Sequence, residues 1–389
     1  MEVWTCRSYR PAFLPGLSFF SAPPFGTAAN LPAFSGRTSF VIVRKSMLRC
    51  EIRGAVRSDE EELLGLARHL NSVNLPHDRA HVQRLLDHSE RSYSGEIKDP
   101  RKRKYVFLLR DLEDKVAVGT SMIVAQLGRR DAPYIYFDVI SEEKYHLALD
   151  RHFQHTVLHL GFSYQGPTEL GGLVVAPERR ASGDRYGLLI SYVRFLYIAV
   201  HRELFQAELL AELLPPLEAD GTSHLWEALG RRFTGMSYRE ADLLSSTDKS
   251  FIRDLFPSQG IYASLLSPEA QNVIGKVGAQ TKGVEKMLRR IGFRYAERID
   301  PFDGGPHFVA NGDDVTLLRN ARVVRIGRAA GARPPARALL GRDLAGPPFF
   351  RAVPCDVQPL DETHVAVSSE VQAQLDLADN DTAYVLPLG

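Results

Sequence analysis

An α/β fold of the α+β kind, closed by a small β-rich module, is predicted from this 389-residue sequence by three observations. The first is a buried-strand pattern, Glu169-Leu170-Gly171-Gly172-Leu173-Val174-Val175-Ala176-Pro177. A basic, glycine-bearing turn from Arg179 to Gly187 follows it, and then the long apolar helix that opens at Leu188-Leu189-Ile190. The second is the interleaving of strand-like and helix-like segments through the middle of the chain. The third is a tail of short β-type segments, Val365-Ala366-Val367 and Ala383-Tyr384-Val385-Leu386, around a short helix from Ser369 to Leu375.

The elements follow in order. Glu51-Ile52-Arg53-Gly54-Ala55-Val56 reads as a short strand. Ser58 then caps a helix with Asp59, Glu60 and Glu61 in its first turn, where carboxylates suit the helix dipole. Leu63, Leu64, Leu66, Ala67 and Leu70 form its apolar stripe, and a second helix covers Asp78 to Ser89. Lys104–Leu109 and Val116–Val124 form an antiparallel hairpin across the charged turn Asp111–Lys115, and Tyr134–Val139 is a further strand. After the Glu169–Ile190 unit, His224–Phe233 and Lys286–Tyr295 share one shape: a helix stopping near glycine, then an aromatic residue entering a strand. That recurrence hints at an internal duplication. Arg328–Pro348, rich in Gly, Pro, Ala and Arg, reads as a linker.

Composition bounds the function. With 44% apolar and 24% charged residues and a net charge of +1, the chain has no electrostatic case for nucleic acid or membrane partners. No apolar run reaches the roughly 18 residues that cross a bilayer. Three widely spaced cysteines, Cys6, Cys50 and Cys355, read as free thiols of a reducing, cytoplasmic setting, without zinc spacing. Residues 1–46 carry one acidic residue, Glu2, and their apolar stretch Ala12–Phe20 is interrupted by Pro15 and followed by Pro23-Pro24. They read as a disordered extension, or as a mis-assigned translation start with Met47 the first residue, and are set apart from the fold.

The Glu169–Ile190 unit carries the chemistry. A strand that stops, turns through arginine and glycine and re-enters as a helix leaves backbone N–H groups pointing one way, a receptor for phosphate. Its bland alternative is a solvated charged loop.

The order strand, helix, strands, strand–basic turn–helix, then helix-Gly-Phe-strand resembles the GNAT acyltransferases. Several separated motifs go further and resemble the arginine N-succinyltransferase family. They are Glu169–Pro177, Arg194-Phe195-Leu196, Leu225–Phe233, Glu269-Ala270-Gln271-Asn272-Val273-Ile274-Gly275, Gly292-Phe293-Arg294-Tyr295 and Phe302-Asp303-Gly304-Gly305-Pro306. The resemblance spans roughly residues 50 to 389. It implies a tandem GNAT-like fold: a first acyl-CoA-binding domain at 47–235, a second GNAT-like half at 236–327, and the linker with its β-rich module at 328–389. It also implies succinyl transfer from succinyl-CoA to the α-amine of L-arginine in arginine catabolism, without a metal and with room for oligomerisation. Leu173 matches the family's succinyl-CoA-binding leucine; Val175 belongs to the same strand, and Arg180, Gly183 and Gly187 belong to the pyrophosphate turn.

The chain also departs from the family's pattern. Gly278 stands where the family has its catalytic histidine, and glycine cannot move a proton. Arg185 replaces a small residue of the turn, Phe162-Ser163-Tyr164-Gln165 replaces a polar segment, and Leu214 replaces a basic residue although Glu212 is retained. These departures keep two alternatives open: a different amine or acyl-CoA, or a catalytically impaired acyl-CoA-binding paralogue. No catalytic residue is assigned. Glu169, Tyr164, Tyr262 and His307 can in principle carry a proton, each with a plainer reading: strand-edge carboxylate, packed aromatics, and a loop histidine beside Phe302–Pro306. His152, His155 and His159, read on a helical period, form a polar helix face and no metal site.

Overall fold

The computed structural model describes residues 48–69, 75–218, 220–245, 248–327 and 334–389; the segment 1–46 lies outside the described residues. The N-terminal strands β1 (Cys50–Gly54), β2 (Lys104–Asp111) and β3 (Ala117–Val124) pair antiparallel in sequence order. A long hairpin, β4 (Tyr134–His146) and β5 (Arg151–Ser163), follows, then β6 (Thr168–Val175) and β7 (Glu208–Glu212). The remaining strands of the main sheet are β8 (Ile261–Tyr262), β9 (Arg294–Ile299) and β10 (Pro306–Asn311), and its order is β1-β2-β3-β6-β7-β10-β9-β4-β5-β8.

Five strands make the β-rich module: β11 (Arg322–Ile326), β12 (Ala336–Asp343), β13 (Phe350–Pro359), β14 (His364–Ala366) and β15 (Thr382–Pro387). They run β12-β15-β11-β14-β13, and β13 pairs back onto β12, so the ring closes into a small barrel. Closure removes the free edges that an open sheet of this size would present. Its interior is Val324, Ile326, Ala338, Leu340, Val353, Cys355 and Leu375. β13 is long enough to pair on its other side with β1, Ile52 opposite Ala352.

Helices cover both faces of the main sheet. α1 (Glu60–Ala67) and α2 (Arg79–Tyr93) bury Leu63, Leu66, Val82, Leu85 and Leu86 against Val106, Leu108, Met122 and Val174. α3 (Tyr186–Val200) lies on the opposite face and buries most of its length, including Leu189, Ile190, Phe195 and Leu196. Each such side chain contributes about 1.5–3 kcal/mol when fully buried, so α3 is held rigidly against β6. The helix Lys282–Ile291 joins it through Leu288 and Ile291. Gly292, at φ +114°, then ends that helix by the left-handed stop its sequence predicts, and β9 follows. No helix among the described residues is long and apolar enough to cross a membrane.

Several local expectations change. Ser58 does not cap α1; a short 3-10 turn precedes the helix, and Asp59 turns back to accept from the Val56 N–H at 2.8 Å and to pair with Arg53 at 2.7 Å. The second helix runs on to Tyr93, capped by Asp78 accepting from the His81 N–H. His152, His155 and His159 lie on β5, where side chains alternate between faces, so His152 points away from the other two. Gly230 stays inside the helical stretch that continues to Thr234, and Gly235, at φ +71°, ends it, so no strand follows Phe233 and the apparent repeat is lost. The linker expected at 328–348 contains β12, because Ala338 and Leu340 have a barrel interior to fill while Leu339 joins the main core on the other face.

Candidate active site

The site begins at a break in the sheet. β6 and β7 are parallel neighbours, yet they pair only at Thr168–Leu209 and Glu169–Leu210. Beyond that point they splay, and the N–H groups on this edge of β6 have no ladder partner across the gap. The other edge of β6 carries a β-bulge: Met122 of β3 opposes Gly171, Thr120 opposes Val174, and Ser121 is left facing two residues, Gly172 and Leu173. Gly172 takes φ +57°, and a Cβ there would stand 2.7 Å from the Met122 Cε. Only glycine adopts this backbone without strain, so the Gly171-Gly172 pair encodes the bulge.

A pocket open to solvent fills the splay. Its two sides differ in chemistry because strand residues alternate. Toward α3 stand Leu173, Ala211, Leu213, Val284 and Leu288, an apolar wall, with the buried Arg194 among them. On the opposite side stand five carboxylates, Glu169, Glu212, Asp242, Asp300 and Asp303, with Tyr238 and Phe302. The Asp303 carboxylate accepts from the Gly305 N–H at 2.7 Å and Asp300 accepts from the Phe302 N–H at 2.6 Å, which locks the Phe302-Asp303-Gly304-Gly305-Pro306 turn into the pocket wall.

Crowding and burial raise the pKa values of four of these groups. Burial first, then Glu169 and Asp300, push Glu212 well above the usual carboxylate range. Burial and Asp300 do the same to Asp303, and burial raises Asp300 itself. Asp242 is pushed up to about 7, again by burial and then Asp300. Such a surface is complementary to a cation, which would stabilise the ionised form of every group it touches.

Behind Glu212 sits His307, fully buried on β10. Its Nδ1 is 3.0 Å from the Tyr134 hydroxyl and its Nε2 is 3.6 Å from Glu212 Oε1. With the Tyr134 O–H donating to Nδ1, the imidazole proton sits on Nε2, toward Glu212. Burial, with the nearby Arg298 and Lys249, pushes His307 down to about 3, so the ring is neutral. Nε2 has no hydrogen-bond partner among the described residues, leaving a donor poised for a Glu212 that shifts by a few tenths of an ångström.

The sequence-predicted residues fall in two places. Leu173 lines the pocket. Val175, two residues on, turns its side chain into the core under α3, and its carbonyl accepts from Arg180 Nε at 2.9 Å. Arg180 and Gly183 lie on the exposed turn before α3 and Gly187 is exposed in its first turn; a Cβ on Gly183 would meet nothing within 4 Å. Arg185 occupies the helix N-cap at φ +58° without a side-chain cap bond, and its carbonyl accepts from the Leu188 and Leu189 N–H groups. Of the proton carriers considered, Glu169 lines the pocket. Tyr164 instead accepts from Arg253 and Tyr262 donates to Glu142 at 2.7 Å, both outside the pocket lining. His307 is a core residue and no loop histidine.

Gly278 packs beneath the end of β7. Its N–H donates to the Leu214 carbonyl at 2.9 Å, and a Cβ would stand 2.7 Å from the Pro215 oxygen and 3.0 Å from the Leu214 oxygen. The position is filled by backbone. The sequence reading missed Arg194, Asp242 and Asp300 as pocket groups; the available signal was a carboxylate ending the apolar strand Leu209-Leu210-Ala211-Glu212, and an arginine inside the most apolar helix.

A family model described as arginine N-succinyltransferase beta subunit matches residues 50–317. An arginine N-succinyltransferase of Escherichia coli O6:K15:H31 (strain 536 / UPEC) is 32% identical over 328 residues, covering 83% of this chain and 93% of that one. One from Shigella dysenteriae serotype 1 (strain Sd197) is 31% identical over the same span. The solved structure of arginine/ornithine succinyltransferase subunit AI from Pseudomonas aeruginosa superposes with a TM-score of 0.74 at 27% identity, covering 88% of this chain and 99% of that chain.

Proposed function

The chain belongs to the arginine N-succinyltransferase family and is an acyltransferase, and we propose that it carries succinyl from succinyl-CoA to the α-amine of L-arginine in the cytoplasm. The observation that carries this reading is the two-sided pocket in the β6–β7 splay: an apolar wall for a pantetheine arm faces five carboxylates suited to a cationic acceptor. In this reading residues 47–235 hold the acyl-CoA. Leu173 and the β6 backbone flank the thioester, and Arg180, Gly183, Gly187 and the α3 N-terminus meet the phosphates. Residues 236–327 close the acceptor side, and the "subunit" in two of the matched names supports assembly with other chains.

The chemistry then follows. The bound cationic acceptor favours the ionised form of Glu212, which then takes one proton from the α-ammonium group, with His307 Nε2–H steadying the carboxylate. The free amine attacks the thioester carbon, and the tetrahedral oxyanion is received by N–H groups of the splayed β6 edge. As the C–S bond breaks, the second amine proton leaves with the sulfur, giving the amide and CoA thiol. With Glu212 in this role, a glycine at 278 leaves proton transfer intact, so Gly278 does not favour the impaired paralogue. The test is release of free thiol from succinyl-CoA in the presence of arginine, with the N-succinylated product identified by mass. Thiol release no faster than without arginine would reject the reading.

A further inference from the structure

Among the described residues, Arg194 is the one cation in the pocket lining, on the α3 side. It is fully buried, and its Nε and Nη2 donate to the Ser191 carbonyl and hydroxyl at 3.2 and 2.8 Å, while Nη1 reaches the Gly171 carbonyl at 3.4 Å. Three of its five N–H groups are thus occupied by neutral acceptors. No carboxylate stands within ion-pair distance among the described residues, and burial alone lowers its pKa to about 9. A buried guanidinium without a counter-ion is costly and is found where a ligand supplies the charge. The helix that carries it is packed on every side, so its position is fixed.

We infer that Arg194 is the receptor for the free carboxylate of the transferred acyl group, making this a subsite for a dicarboxylic acyl chain beneath the β6–β7 splay. The inference rests on the reading of the pocket as an acyl-CoA site and says which acyl class it selects. Electrostatics dictate the direction. A carboxylate-bearing acyl chain entering from the thioester finds no cation on the side of Glu169, Glu212, Asp242, Asp300 and Asp303 and meets Arg194 on the other. Leu173, Leu213 and Leu288 flank the path and suit the intervening methylenes. Arginine forks bind carboxylates in two parallel bonds, which adds geometric selection to charge. A neutral acyl chain of equal length would leave the guanidinium desolvated and unpaired.

The experiment compares succinyl-CoA with butyryl-CoA, which has the same carbon chain without the charge, on the full chain and on Arg194→Met and Arg194→Lys. Binding is measured directly by calorimetry and turnover by thiol release. The expected result is that Arg194→Met weakens succinyl-CoA binding and lowers its kcat/KM on the order of 10²–10³-fold. Butyryl-CoA and CoA itself should keep their affinities within about threefold of wild type, and Arg194→Lys should fall between. Equal losses for both acyl-CoAs would assign Arg194 a structural role and overturn the inference. So would a rise in KM for arginine with either donor that disappears with its decarboxylated analogue agmatine, which would place the acceptor's carboxylate on Arg194. Because the binding arm needs no acceptor, a wild type that binds succinyl-CoA in preference to butyryl-CoA yet never acylates arginine would sink the proposed reaction while leaving this inference standing.

Discussion

The glycine at 278 makes the sharpest prediction, because the family's histidine is expected there and the structure has no space for one. The perturbation is Gly278→His, with Gly278→Ala beside it. A Cβ at 278 must move away from the Pro215 oxygen at 2.7 Å and the Leu214 oxygen at 3.0 Å, both backbone atoms that cannot rotate aside. Separating the segments strains the bond from the Gly278 N–H to the Leu214 carbonyl and the one from Thr281 Oγ1 to the same carbonyl, each 2.9 Å. One such bond is worth about 0.5–1.5 kcal/mol, and overpacking a filled site costs about 1–3 kcal/mol. Both substitutions should therefore destabilise by about 2–4 kcal/mol, and alanine should cost nearly as much as histidine, since the conflict lies at Cβ. Urea unfolding with linear extrapolation reads the loss, and thiol release reads the activity, which should not rise. A stable Gly278→His variant that turns over more than tenfold faster than wild type would refute the reasoning, by showing that position 278 can reach the reacting atoms after all.

Other expectations follow from the same geometry. Glu212→Gln should lower kcat about 10²–10⁴-fold while leaving the KM for succinyl-CoA unchanged, and a loss below fivefold would exclude Glu212 as the proton acceptor. Gly172→Ala should fold, because the Met122 tip can yield and a left-handed alanine costs about 1–2 kcal/mol. It should still lose about 10²–10³ in kcat as the bulge relaxes and an oxyanion donor turns away; normal turnover would remove the bulge from the mechanism. The pocket carboxylates set a pH dependence. The folded pKa values of Glu212, Asp242, Asp300 and Asp303 lie above the unfolded ones, so their contribution to stability is complete below the ordinary carboxylate range and is lost as pH rises, through about 7 for Asp242. Thermal unfolding of the free protein should fall across that window, and added arginine should recover more at about pH 8 than at about pH 6. An arginine-induced shift that is independent of pH would contradict a carboxylate-lined acceptor site.

By itself the sequence determined the parts whose rules are local. The apolar run Leu173-Val174-Val175, the basic turn and the all-apolar α3 announced a strand–turn–helix, because burial pattern and glycine placement act over neighbouring residues. Gly292 stopped its helix for the same reason, and the separated motifs pointed to the family. Local rules also misled. His152, His155 and His159 fit a helical period as easily as a strand, and Gly230 looked like a helix stop although its backbone stays helical. The barrel strand β12 was hidden in a Gly- and Arg-rich stretch, since only its partners β13 and β15 make Ala338 and Leu340 an interior. The opening strand–turn–helix is thus half of the site. The other half, Glu212 with His307 and Tyr134, the aspartates at 242, 300 and 303, and the unpaired charge of Arg194, comes from segments up to 173 residues apart. Only the splay of β6 from β7 brings them to one cavity, and only burial there changes what their charges can do.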